Sequence, residues 1–463
     1  MRIAYEALAW GRHVSGHEHA WRIVRRAAHP ALGVCLDSFH ILSQGHDPAP
    51  IRAIPGEKVF FLQLADAPRL PMDVLPWSRH HRLFPGQGEF DLTAFSGHVL
   101  ATGYEGPLSL EVFNDVYRQS DPRPAAVDAM RSLLALKESL GVLDLPPAPR
   151  LSGHAFAEVV SGAGAGTGAV LASLGFARTG VHRSKPVELW EQGEARVLVN
   201  GGGDTGGAIG AVALASADPA RRAEALLAPV LPRAHGPREA DLAAVAAPDG
   251  TELFLCGNDD WRGDFEPTGE TAEGAGVFGI DHVALTQPFD HFDEAALFYR
   301  SVLGLTPSPV VEFAAPFGLV RSRVVTAGEV RLTLDSAWCG AGSGRPRCPS
   351  RSTSPSRART PSPRPGRCAN SARRCWRSRA TTTTTSPPGS ICPPPGSRGC
   401  ARTPCSTTVT NTASSCISTP PSRARACSSR WFSGSAAIAV SASSTRRCGR
   451  PRTAPAGTRP HQA

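Results

Sequence analysis

From Cys339 to the carboxyl terminus the chain contains no aspartate, no glutamate and no lysine. An ordinary soluble stretch is about a quarter charged with both signs present, so such a tail needs a special cause. All 40 acidic residues lie at or before Asp335, whereas 21 arginines fall within the tail. The preceding body carries 28 basic against 40 acidic side chains, a net charge of −12, so the overall +9 and the pI near 9.2 belong to the tail. A net-acidic body gives no electrostatic reason to expect nucleic acid or an anionic membrane as partner, and small-molecule chemistry becomes the better reading. Cysteine is equally scarce ahead of the tail, where only Cys35 and Cys256 occur. Two isolated cysteines exclude a disulfide framework and fit a reducing cytosol. Met1–Trp10 lacks a basic-then-apolar signal pattern, and no run of about 18 apolar residues occurs. These absences predict a soluble, cytoplasmic protein.

What is present changes character along the chain. Over residues 1–144 short apolar runs at Arg2–Leu8, Leu32–Leu36, Val59–Leu64 and Pro107–Val112 alternate with helical patterns at Glu18–Ala28, Leu92–Ala101 and Ala125–Leu140. Buried strands alternating with helices imply parallel βα units, and four such units make half of an eight-fold barrel. A proline-rich linker, Leu145 to Arg150, follows. Beyond it, residues 152–262 and 277–338 each open on an alternating strand, Ala155–Val160 and Ile280–Leu285, and continue to a helix ending in Leu-Gly-Phe or Leu-Gly-Leu. That recurrence, about 125 residues apart, predicts a duplicated module. Residues 264–276 read as a flexible connector.

Each of the four barrel runs ends in one oxygen-bearing side chain: Glu6, Asp37, Gln63 and Glu111. Carboxyl ends of parallel barrel strands converge on one mouth, so residues distant in sequence can meet there. Three carboxylates and an amide, without thiolate, suit a hard divalent ion such as Mg²⁺, Mn²⁺ or Co²⁺. Spacing by itself also allows four polar residues that cap helices or meet water.

The segments Tyr5-Glu6-Ala7-Leu8-Ala9-Trp10-Gly11-Arg12-His13, Leu36-Asp37-Ser38-Phe39-His40, Phe61-Leu62-Gln63-Leu64-Ala65-Asp66 and Pro85-Gly86-Gln87-Gly88 resemble the second half of a bacterial 3-dehydroshikimate dehydratase. That family belongs to the sugar-isomerase-like TIM-type (β/α)8 barrels. The resemblance implies that Glu6, Asp37, Gln63 and Glu111 ligate the metal, and that the reaction is loss of water from 3-dehydroshikimate to give protocatechuate. Such a reaction needs a base for the α-proton, a Lewis acid for the developing enolate and an acid for the departing hydroxyl. By position His40 is the candidate for proton transfer, with His13 next, and Arg82 for gripping the substrate carboxylate as a bidentate fork. A strand-end histidine is at least as often an orienting neighbour of the ligands. The resemblance further implies that the chain begins at the fifth strand, which predicts little catalysis from this chain alone.

Residues 152–338 resemble the paired modules of 4-hydroxyphenylpyruvate dioxygenase, an α+β vicinal-oxygen-chelate fold built of βαβββ units. The resemblance rests on Leu174-Gly175-Phe176, His182-Arg183-Ser184-Lys185 and Leu198-Val199-Asn200 in the first module. In the second it rests on Gly279-Ile280-Asp281-His282-Val283-Ala284 and Phe298-Tyr299-Arg300. It implies an Fe(II) site of two histidines and a glutamate. His282 takes the first ligand position, but no glutamate follows residue 338, so the iron site is expected to be lost.

The tail, 339–463, reads either as a disordered Arg/Ser/Pro segment or as translation in the wrong frame. Read one nucleotide late, Thr381–Thr385 decodes only to residues drawn from Tyr, His, Asn and Asp. Ser428-Ser429-Arg430-Trp431-Phe432-Ser433 decodes with plausible codons to Phe-Phe-Glu-Val-Val-Gln, and Arg351–Ser354 to a segment containing Gln-His-Ile. These match the dioxygenase-like family in order, which predicts one net frameshift between about Trp338 and Arg351. The expected architecture is therefore α/β: the carboxyl-terminal half of a TIM-type barrel (1–144), two dioxygenase-like modules (152–262 and the start of a second at 277–338), and a disordered tail. The leading functional expectation is a metal-dependent lyase acting on a small molecule, with a homo-oligomer left open. The alternatives are a sugar or sugar-phosphate isomerase, against which Gln63 argues mildly, a 4-hydroxyphenylpyruvate dioxygenase-like protein, and an Arg-rich RNA-binding protein. The last lacks regular Arg-Ser or Arg-Gly repeats and interleaved aromatics.

Overall fold

The computed structural model describes residues 1–162, 166–203, 207–216, 220–232, 235–272, 276–315 and 318–338, together with the backbone of 436–442. Four parallel strands open the chain: β1 (Ile3–Glu6), β2 (Leu32–Asp37), β3 (Val59–Leu64) and β4 (Ser109–Leu110), in the spatial order β1-β2-β3-β4. Parallel pairing requires crossovers, and the first three strands are followed by α1 (His17–Ala27), α2 (Ser38–Leu42) and the pair α3 (Val74–His80) and α4 (Leu92–Leu100). After β4 comes α5 (Pro122–Ser139), capped by Asp121, whose side chain accepts from Arg123 N, with proline in its first turn. Alternate residues of the central strands, Val34 and Leu36 of β2 and Leu62 and Leu64 of β3, pack with Phe39, Phe95 and Val99 into one apolar core.

The registers Glu6↔Cys35, Asp37↔Gln63 and Leu64↔Leu110 bring the carboxyl ends of all four strands level. The half-barrel read from the sequence is thus present. The structure adds two helices that periodicity did not reveal, α2 and α3, because five and seven residues carry too few turns to show a repeat.

The following region is a nine-stranded sheet made of two βαβββ repeats. The first runs β5 (Gly153–Val160), α6 (Thr167–Ser173), β6 (Ala177–His182), β7 (Val187–Gln192) and β8 (Ala195–Asn200). The second runs β9 (Ala208–Ala215), α7 (Arg221–Ala225), β10 (Val230–Leu231), β11 (Ala243–Ala246) and β12 (Glu252–Cys256). In each repeat the first strand pairs in parallel with the last, β5 with β8 and β9 with β12, and the two first strands pair antiparallel with each other. The segment read from sequence as one module therefore contains a repeat within itself, hidden because β10 and β11 are only two and four residues long. β13 (Phe265–Pro267) falls inside the expected connector and extends this sheet beside β6.

A third, related unit has one strand, a helix and four further strands: β14 (Val277–Thr286), α8 (Phe292–Leu303), β15 (Thr306–Pro307), β16 (Val311–Ala315), β17 (Gly318–Ala327) and β18 (Val330–Trp338), again with first and last long strands parallel. Within the tail the expectation of disorder is corrected at one point. Residues 436–442 form β19 (Ala436–Ala442), antiparallel to β14, in the relation β9 has to β5. Ala-Ala-Ile-Ala-Val-Ser-Ala is uncharged, free of proline and contains two β-branched residues, which suits it to pair with an open strand edge. The remaining tail segments, including Arg351–Ser354, Thr381–Thr385 and Ser428–Ser433, lie outside the described residues.

The half-barrel and the module meet through α5 and α7. Arg222 donates to both carboxylate oxygens of Glu138 at 2.6 and 2.7 Å, and Arg131 Nε donates to the Leu226 carbonyl at 3.0 Å.

Candidate metal centre

The mouth of the half-barrel gathers what the four strand ends deliver. Glu6 is the last residue of β1 and Asp37 the last of β2, Gln63 lies near the end of β3, and Glu111 follows β4 directly, its N–H bonded to the Leu64 carbonyl. Asp37 is fixed by a second task. Its Oδ1 caps α2, accepting from Phe39 N at 2.7 Å and His40 N at 3.3 Å, and this leaves Oδ2 to face the mouth.

The same cap aims His40 at the site. Its Nε2 lies 3.5 Å from Glu6 Oε1 and 3.8 Å from Asp37 Oδ2, and one donor atom from each of Glu6, Asp37 and His40 falls within 4.8 Å of the others. The Trp10 ring meets the imidazole edge-on with centroids 4.9 Å apart, and Ala9 N donates to Nδ1 at 3.3 Å. Arg82 Nη2 approaches the other ring nitrogen, 3.4 Å from Nε2. Gln63 links the remaining members, donating through Nε2 to Glu111 Oε1 at 2.9 Å and accepting from the Cys35 thiol at 3.0 Å.

Arg82 corrects an expectation. Instead of presenting a free fork to substrate, it is fully buried, and its guanidinium is engaged within the cluster. Nη1 donates to Asp37 Oδ2 at 2.8 Å and to Glu111 Oε2 at 3.2 Å, while Nε and Nη2 donate to the Ser78 hydroxyl at 3.2 and 2.9 Å. The guanidinium lies over the Phe39 ring, 4.6 Å from its centre. A charge placed so deeply needs its anionic partners, and two carboxylates supply them.

His13, the second candidate for proton transfer, is exposed on the loop between β1 and α1. No hydrogen bond or ion pair of the cluster involves it among the described residues. Sequence reasoning passed over Cys35 and Ser78, although both left a signal. Cys35 is two residues before Asp37 and so shares its face of β2, and Ser78, in the last turn of α3, lies four residues before Arg82.

Three carboxylates share this mouth with a single buried cation, and the electrostatics register the imbalance. Burial, then repulsion from Asp37 and Glu111, pushes the Glu6 carboxyl up to about 7. Burial and Asp37 likewise raise Glu111. Burial holds His40 down to about 4, so its imidazole is neutral near pH 7. Burial beside the carboxylates also keeps the Cys35 thiol protonated. A divalent cation fits this donor set, with hard oxygen ligands, an excess of negative charge and a shielded position.

The loop that carries Arg82 into place is organised by Asp66, which accepts from Ala67 N at 2.8 Å, Gly86 N at 2.9 Å and Phe90 N at 2.9 Å. Gly88 must be glycine here, because a Cβ would stand 2.4 Å from Asp66 Oδ1.

His282 has a different setting. Its Nδ1 lies 2.7 Å from Asp281 Oδ2, and that carboxylate also pairs with Arg331 at 3.2 Å. Among the described residues it joins no cluster of three potential ligands, and the segments expected to bring the other two lie outside them.

A family model described as a xylose isomerase-like TIM barrel matches residues 1–136. The chain is 43% identical over 370 residues to proteins named 3-dehydroshikimate dehydratase from Pseudomonas putida and Pseudomonas aeruginosa, covering 72% of this chain and 58% of each relative. It therefore spans 58% of the length of these curated relatives. A solved structure titled xylose isomerase-like TIM barrel/4-hydroxyphenylpyruvate dioxygenase fusion protein is similar, with 41% identity and a TM-score of 0.65 over 73% of this chain and 58% of that one. In sequence and fold the chain is thus similar to the 3-dehydroshikimate dehydratases over the part that it spans, with residues 1–136 similar to a xylose isomerase-like TIM barrel.

Proposed function

We propose that the half-barrel carries the site of a metal-dependent hydro-lyase that converts 3-dehydroshikimate to protocatechuate. The observation that carries this reading is the convergence of Glu6, Asp37 and Glu111 with His40 at one mouth, where Arg82 is the single buried countercharge. Glu6, Asp37, Gln63 and Glu111 are the ligands proposed for Mg²⁺, Mn²⁺ or Co²⁺. A cation bound there supplies Lewis-acid polarisation of a ketone oxygen.

The chain's own residues divide the remaining work. Asp37, tied to the start of α2, is a fixed anchor. Gln63 orients Glu111 through its amide. His40, with Nε2 3.5 Å from Glu6 Oε1 and 3.8 Å from Asp37 Oδ2, is the residue proposed for proton transfer at this mouth. Trp10 fixes the imidazole plane and shields it from water. Arg82 neutralises part of the carboxylate charge from behind, a positioning role.

The test follows formation of the aromatic product by the full chain with each divalent cation in turn, and repeats it with Glu111→Ala. Product formation that requires added cation and falls at least a hundredfold in the variant, with the far-ultraviolet circular dichroism unchanged, is the expected result. Turnover indifferent both to chelator and to Glu111→Ala would overturn the reading.

A further inference from the structure

The motif Pro85-Gly86-Gln87-Gly88 has one polar side chain, and the chemistry of the mouth leaves it unused. Gln87 is 3% exposed, so its amide must find partners inside the protein. It finds three. Oε1 accepts from Phe84 N at 3.2 Å and from the Tyr117 hydroxyl at 2.6 Å, while Nε2 donates to Asp128 Oδ2 at 2.6 Å.

Two of these partners belong to segments that deliver members of the mouth. Phe84 stands two residues after Arg82, and Tyr117 six residues after Glu111. The same two segments are joined again where Arg82 N donates to the Phe113 carbonyl at 3.1 Å and Asn114 Nδ2 to the Arg82 carbonyl at 2.9 Å. The Phe84 and Tyr117 rings stack beside these bonds, with centroids 4.7 Å apart.

The third partner lies on α5. Among the described residues, the bond from Gln87 to Asp128 is the one hydrogen bond between residues 82–88 and that helix, and Asp128 Oδ1 has no partner at all. Arg131 of the same helix approaches Asp128 only to 3.9 Å, and it also faces Glu294 of α8 at 3.7 Å. Burial, then repulsion from Glu294, pushes the Asp128 carboxyl up to about 7, so near neutral pH its charge is held there at a cost to folding. A buried acid that weakens the fold while gripping the loop of the mouth has a task other than stability.

We propose that Gln87 and Asp128 are positioning residues for the mouth: Gln87 laces the segments of Arg82 and Glu111 into register, and Asp128 ties Gln87 to α5. Arg82 Nη1 is shared between Asp37 and Glu111, so a slip of either segment re-aims a proposed ligand. Groups standing behind metal ligands typically contribute about 10–100-fold in metal affinity. The proposal rests on the reading of the mouth as a metal site.

Two measurements on the full chain test it: calorimetric titration with Mn²⁺, and amide hydrogen exchange of residues 83–87 followed by mass spectrometry. Gln87→Leu and Asp128→Leu remove the tie, whereas Asp128→Asn keeps an acceptor for Gln87 Nε2. In both leucine variants Mn²⁺ affinity is expected to fall at least fivefold and loop exchange to quicken at least fivefold, with far-ultraviolet circular dichroism unchanged. Asp128→Asn should stay within twofold of wild type in both. Should the leucine variants fail to fold, Tyr117→Phe, which removes one donor to Gln87 and keeps the ring stack, decides by a threefold change in each. Unaltered Mn²⁺ affinity in the folded variants would overturn the proposal and leave the metal reading standing. If the intact chain binds no Mn²⁺, the metal reading falls and exchange alone decides the lacing, which unaltered loop exchange would overturn.

Discussion

The barrel mouth and the surroundings of His282 both hold carboxylate, histidine and arginine, yet they differ in how the charge is settled. Around His282 the groups satisfy one another: Asp281 takes both the imidazole and Arg331, and all three side chains retain contact with solvent. At the mouth, three carboxylates face one guanidinium, Asp37 and Arg82 are wholly buried, and Glu6 is driven up to about 7. A site whose charges cancel has no call for a further ion, whereas one whose anions outnumber its cations is built to attract one. Residue types alone do not separate these cases; burial and stoichiometry of charge do.

The strongest way to break this contrast is to remove the buried cation. Arg82→Met strips Asp37 of its partner inside the protein, and the expected loss is about 3–5 kcal/mol in urea-induced unfolding. A loss below about 1 kcal/mol would mean that the mouth is wetter and less strained electrostatically than the geometry states.

A middle-sized effect lies where α5 meets α8. Burial, then repulsion from Glu294, raises Asp128 from 3.8 to about 7, although Gln87 Nε2 donates to it at 2.6 Å. The raised value means that the folded state binds the proton more tightly than the unfolded chain. Stability from this group is therefore full below about pH 4 and declines as pH rises to about 7. Asp128→Asn is expected to flatten that part of the stability profile and to leave the protein on the order of 1–3 kcal/mol more stable than wild type at pH 8. Parallel profiles for both proteins would contradict it. The smallest effect belongs to the module: His282→Gln should shift stability by no more than about 0.5 kcal/mol, because its partners are exposed and screened. A larger loss would move His282 to the buried side of the comparison.

The four proposed ligand positions were legible because a parallel strand's last residues point to one rim whatever lies between them, so apolar runs ending in Glu6, Asp37, Gln63 and Glu111 sufficed. The proximity of His40 followed from its place three residues after Asp37, one turn into α2. The task of Arg82 was not legible. It depends on α3 and on the loop that Asp66 gathers, neither of which leaves a periodic signal. His13 misled for the converse reason, since proximity in sequence to Glu6 says nothing about a loop free to turn outward. In the modules, long strands such as β5 and β14 announced themselves by alternation, but the second repeat hid behind strands of two and four residues. β19 was invisible because its apolar run lies in a tail whose composition argued against any core.

The central claim concerns the charge deficit at the mouth, and titrating Mn²⁺ into the full chain by calorimetry tests it most directly. One saturable site is expected, with affinity at least tenfold weaker in Asp37→Asn and in Glu111→Gln and unchanged in His282→Gln. Binding that is absent, or that persists equally in Asp37→Asn and Glu111→Gln, would contradict the account.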